Sequence, residues 1–174
     1  MHFNIEKSLE ILERTPSVLE VLLTGLSDEW IRNNERENTW SPYEIMGHLI
    51  HGEKTDWIPR AKIILSNAAD KTFIPFDRFA QQKDDKSIPI EELLKQFKKL
   101  RTENLKELIA FNLSPDKLEK QGIHPDLGKA KLKELLSTWV VHDLGHIAQI
   151  SRVMAKQYKS EVGPWKKYLG ILKK

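Results

Sequence analysis

Apolar residues recur at intervals of three and four along almost the whole chain, and alternating runs bounded by tight turns are nearly missing. That periodicity predicts helices rather than strands. The first helical region spans about Asn4 to Leu23, with Ile5, Leu9, Leu12, Leu19 and Leu22 at mostly helical spacings. Thr15-Pro16 interrupts it. Either Thr15 caps a new helix with Pro16 in its first turn, or Pro16 kinks one continuous helix. Gly25 is placed to end this region.

The second helix has the clearest start in the chain. Ser41 reads as the N-cap, Pro42 as the first helical residue and Glu44 as the partner in a capping box, with Trp40 and Ile45 as a hydrophobic staple. It continues through His48 and Trp57 towards Leu65, with a kink or local break expected from Pro59. Residues 67–88 read as a long loop whose Phe73, Phe76 and Phe79 predict packing back onto the helices. A third helix fits Pro89 to about Phe111, its stripe made of Leu93, Leu94, Phe97, Leu100, Leu105 and Leu108. His124-Pro125-Asp126-Leu127-Gly128 marks a break, and a fourth helix runs from about Ala130 to Tyr158. Gly163-Pro164 ends it, and Trp165–Leu172 reads as a short terminal helix. The pattern predicts an all-α fold, a four-helix bundle with a long loop between helices 2 and 3 and a short C-terminal helix. The 174 residues suit a single domain, 1–174.

Composition narrows the function classes. Net charge is +3, from 28 Lys and Arg against 25 Asp and Glu, but the two signs are interspersed. The basic runs KQFKK (95–99), KAKLK (129–133) and the 166–174 tail read as solvated helix faces, not as a nucleic-acid surface. Cysteine is absent, so the chain offers neither a disulfide nor a thiolate ligand or nucleophile. The charged N-terminus lacks the apolar core of a secretory signal, and no run is long and apolar enough to span a membrane. A cytoplasmic location is expected.

The candidate chemistry lies in the histidines. His142 and His146, four residues apart on the fourth helix, lie about 40° apart around its axis and about 6 Å along it, close enough to chelate one ion. By itself such a pair is as consistent with two satisfied core histidines. It is not a zincin helix, because Asp143 and not Glu follows His142. His48 on the second helix supplies a third imidazole. Three neutral nitrogens with one position open is the composition of a catalytic metal site. Glu53 and Gln149 are catalytic or outer-layer candidates, and His51 reads as a half-exposed helix residue or an alternative ligand. Asp143 points away from His142 and is not expected to be a ligand. The tryptophans read as packing residues, with Trp57 a candidate for the mouth of a pocket.

The order Trp40-Ser41, His48-Leu49, Glu53, then His142-x3-His146 with Gln149, resembles the DinB-like superfamily. Thr15-Pro16-x-Val18-Leu19, Arg101 and Val162-Gly163-Pro164-Trp165 extend the resemblance over most of the chain. The resemblance implies a four-helix bundle with an up-down-down-up-like topology, and one divalent metal ion, nickel or zinc, on His48, His142 and His146. It also implies a homodimer. Its members include hydrolase-like proteins and bacillithiol and mycothiol S-transferases. The expected function is therefore transfer of a low-molecular-weight thiol to a small-molecule substrate. Metal-dependent hydrolysis and non-catalytic, stress-related metal binding are the alternatives.

Overall fold

The computed structural model describes residues 2–83 and 85–173, so Asp84 of the expected loop and Lys174 of the basic tail lie outside the described residues. The chain is mostly helical. α1 (Ile5–Leu12) and α2 (Thr15–Leu23) are followed by the short α3 (Asp28–Arg32). α4 (Pro42–Thr55) and α5 (Trp57–Leu65) form the second rod, α6 (Ile90–Ala110) the third and α8 (Leu132–Gln157) the fourth. Between the last two lie α7 (Pro115–Glu119) and a hairpin of β1 (Gln121–His124) and β2 (Gly128–Lys131). α6 packs on α2 and α4, and α8 packs on α1, α4 and α5, which closes a four-helix bundle.

Two prolines set the helix breaks. Pro16 has no N–H to give the carbonyl of Leu12, and the first region is two helices. Thr15 does not cap the second; its hydroxyl donates back to the Ile11 carbonyl at 3.1 Å. Pro59 likewise offers nothing to the carbonyl of Thr55, and the chain turns one residue later, at Asp56 (φ −107°, ψ −72°). The capping box at Ser41 forms as the sequence predicts, with Glu44 N donating to Ser41 Oγ at 3.2 Å and Ser41 N donating to Glu44 Oε2 at 3.0 Å.

The hairpin adds to the expected helices. Its strands are four residues each, too short to register as a pattern. Gly128, at φ 76°, lets the chain reverse. His124 Nδ1 braces the turn by accepting from Asp126 N at 3.1 Å and Leu127 N at 3.2 Å. Part of the long loop docks on β1, with Phe73 N donating to Ile123 O at 2.8 Å. A Cβ on Gly122 would collide with the Phe73 ring, so the close approach requires glycine there. In place of a terminal helix, residues 163–167 and 170–172 form two 3-10 turns.

The buried side chains fall into two apolar clusters. One contains Leu19, Met46, Leu49, Phe97 and Ile150. The other contains Leu12, Trp57, Leu105, Leu136 and Trp139. Between them each of three long helices carries one buried charge: Glu53, Arg101 and Asp143. The histidine cluster is built beside this charged layer.

Candidate metal centre

α4 presents His48, and α8 presents His142 and His146 one turn apart. The three rings converge through their Nε2 atoms. His48 Nε2 lies 3.1 Å from His142 Nε2, which lies 3.1 Å from His146 Nε2. One nitrogen from each ring falls within 4.8 Å of the others, the arrangement one small cation needs. His48 is buried and the other two are half-buried.

The tautomers fit this use. His146 Nδ1 is 2.9 Å from Gln149 Oε1. A carboxamide oxygen only accepts, so Nδ1 carries the proton and the Nε2 lone pair points into the cluster. His142 Nδ1 is buried without a partner, and His48 Nδ1 faces the Arg78 backbone outside aligned hydrogen-bond geometry. Burial pushes His48 down to about 3, helped by the neighbouring His146, His51 and Arg78. Burial also pushes His142 down to about 3, followed by the charges of His146, His48 and Arg101. His146 moves the same way, chiefly through burial, although Gln149 pulls against it. All three imidazoles are neutral at pH 7, the form that binds metals.

A sequence profile of the DinB superfamily matches residues 11–150 of this chain. The chain belongs to the DinB superfamily. A relative from Bacillus mycoides (strain KBAB4), named as a candidate metal-dependent hydrolase, is 24% identical over 149 residues, covering 84% of this chain and 83% of its own. YfiT from Bacillus subtilis, described as a metal-dependent hydrolase candidate with an unusual four-helix bundle topology, superposes with a TM-score of 0.73 at 19% identity, over 91% of this chain and 87% of its own. TT2238, a four-helix bundle protein, gives 0.57 at 19% identity, over 85% of this chain and 98% of its own. At these identities the two structures establish the fold.

The other candidates of this DinB-superfamily chain part company around the cluster. Gln149 is the hydrogen-bond partner of His146. Glu53 lies in the buried charged layer. Its Oε1 accepts from Arg101 Nη2 at 2.8 Å and Trp139 Nε1 at 3.1 Å, and its Oε2 accepts from Asn104 Nδ2 at 2.9 Å. Asp143 turns away from the histidines to Arg101, as expected of a non-ligand. Arg101 Nη1 also donates at 2.8 Å to Leu12 O, the carbonyl that Pro16 leaves without a helical donor. Burial opposes the Arg101 charge, but Glu53 and Asp143 hold its pKa above the ordinary value. His51 packs on Phe76, centroids 4.9 Å apart, with its Nε2 3.4 Å from Thr55 Oγ1.

The histidines open on a cleft of about 680 Å³. Trp57 lines it, as do Phe73, Phe76 and Arg78 from the long loop. Trp40, expected as a staple, lies over His48 and His146, with centroids 4.8 and 6.4 Å away. Gly47 lets the turn at 80–83 press against α4, since a Cβ there would sit 2.8 Å from Gln81 Cβ. Among the lining residues that the sequence did not single out are Asp56 and Arg60. The available signal was their four-residue spacing across the Pro59 break.

Proposed function

We propose that this protein is a metal-dependent transferase that uses a low-molecular-weight thiol as cosubstrate. His48, His142 and His146 would hold one divalent ion, nickel or zinc, both of which imidazole suits. When bound, the ion supplies Lewis acidity that lowers the pKa of an incoming nucleophile. The engagement of Glu53 and Asp143 with Arg101 carries the choice of a thiol. Neither carboxylate is left to act as a base on the nucleophile. A thiol, with a pKa of about 8.5, needs far less activation than water at about 15.7. With no cysteine in the chain, the sulfur must arrive with the cosubstrate.

The residues of the cleft divide the remaining work. Gln149 keeps the His146 proton on Nδ1, and the Arg101 layer holds α8 in rotation. Trp40, Phe76 and Trp57 exclude water from the approach to the histidines. A dimer in the cytoplasm is part of the same proposal.

The test is conjugation of small thiols, glutathione and cysteine among them, to monochlorobimane by the metal-loaded protein. Metal-dependent conjugation that is lost in His142→Ala supports the reading; no conjugation with any cellular thiol sinks it. Hydrolysis is the second reading. It is favoured by Asp56, whose carboxyl lines the cleft and is raised by burial against the pull of Arg60 and His124. Ester hydrolysis that requires both metal and Asp56 would support it instead.

A further inference from the structure

Beside the histidines the cleft holds a second built feature, at the break between α4 and α5. Arg60 is 8% exposed and lines the cleft together with Asp56. Its Nε lies 2.5 Å from Asp56 Oδ1, and its guanidinium carbon is 5.1 Å from the centroid of the Phe73 ring. The Asp56 contact is an ion pair outside aligned hydrogen-bond geometry, so one edge of the guanidinium is held by charge and one face is covered by Phe73. Among the described residues, no hydrogen bond engages Nη1 or Nη2, and neither belongs to the sealed polar atoms that lack a partner. Both terminal nitrogens are therefore not sealed by protein, on a residue that lines the cleft.

A buried guanidinium used only for structure places its donors on protein acceptors, as Arg101 does with Leu12, Glu53 and Asp143. Arg60 leaves its fork open, at the cost of donors without protein partners. The planar fork matches an oxyanion, and its orientation is already set by Asp56 and Phe73. Asp56 also selects among anions. A phosphate dianion would bring two further negative charges beside the Asp56 carboxylate, with one guanidinium to offset them, whereas a ligand carboxylate brings only one.

We infer that Arg60 is an anion subsite of this cleft, binding the carboxylate of a small substrate or cosubstrate whose reacting group lies at the histidine cluster. The position of the reacting end rests on the metal-centre reading above; the Arg60 end stands on its own geometry.

The test titrates mercaptoacetate and 3-mercaptopropionate, each against its neutral amide, into Co(II)-loaded and metal-free protein by calorimetry. In the wild-type protein the better-fitting acid binds about tenfold or more tightly than its amide. In Arg60→Gln the preference shrinks to about twofold or less, with Co(II) stoichiometry unchanged. Equal binding of acid and amide by wild-type protein, or a preference that survives in Arg60→Gln, overturns the inference. If Arg60→Gln does not fold, Asp56→Asn/Arg60→Gln removes both charges together and carries the same comparison. A protein that takes up no Co(II) yet prefers the acids when metal-free keeps the subsite and loses the metal centre. One that binds Co(II) without preferring the acids does the reverse.

Discussion

Arg101 and Asp143 meet as a two-point pair, with Nη1 donating to Oδ2 at 2.6 Å and Nη2 to Oδ1 at 3.0 Å, both side chains buried. Asp143 follows His142 on α8, about 100° further around the axis. Locking Asp143 inward on one side aims His142 at His48 on another. The pair therefore positions the histidines without touching them.

Breaking the pair from one side strands a buried charge. Arg101→Met and Asp143→Leu should each lower stability by about 3–5 kcal/mol. Urea unfolding of the metal-free proteins measures this. A loss below about 1 kcal/mol would place the pair among weak surface contacts instead.

Metal content should follow the three imidazoles. Elemental analysis of untagged protein should find one ion per chain, lost in His48→Ala and in His142→Ala. Gln149→Ala should keep the site but weaken it about 10- to 100-fold, because it frees the Nδ1 proton of His146 to move. Retention of a full equivalent of metal in His142→Ala would remove that residue from the ligand set.

The buried histidines make the metal-free fold sensitive to acid. His48 and His142 bind protons at about 3 in the folded chain, against an ordinary value of 6.5. Between those values the unfolded chain holds more protons, so stability falls as pH drops from about 6.5 towards 3. Thermal melts of the metal-free protein across that window should show the slope. His142→Leu should flatten it, and an unchanged slope would mean that other groups carry the acid sensitivity.

A separate ion cluster ties the segment before α4 to α8. Glu35 is paired with Arg152 at 3.0 Å and Lys156 at 2.8 Å. The hydrogen bond from Arg152, helped by Lys156, holds its carboxyl down at about 2 against an ordinary 4.5. A depressed carboxylate stabilises the fold above its unfolded value and loses that contribution as pH falls through about 2. Glu35→Gln should therefore cost about 1 kcal/mol near pH 7 and progressively less below pH 4.5. Chemical unfolding at the two pH values tests the difference.

Gly47→Ala should disturb the cleft more than the bundle. Its new Cβ would press on Gln81 Cβ, at 2.8 Å, and push away the turn next to Phe76 and Arg78. We expect a loss of about 1–3 kcal/mol, with weaker metal binding at unchanged helix content. Calorimetry and circular dichroism separate the two effects, and an unaltered metal affinity would detach that turn from the site.

Much of this protein was determined by local sequence alone. The capping box at Ser41, the breaks set by Pro16 and Pro59, and the limits of α6 and α8 follow from neighbours within about one turn. So does the face shared by His142 and His146. Whether His48 meets them depends on how α4 packs against α8, which no local pattern encodes. The charged layer shows the same boundary. Arg101 falls on the buried stripe of α6 between Phe97 and Leu105, a position that an apolar pattern treats as a gap. Its partners are 48 and 42 residues away, Glu53 and Asp143, and the free carbonyl at Leu12 is 89 away. Short-range periodicity sets which side of each helix is buried. Only the packed bundle decides which charges, and which imidazoles, face one another across it.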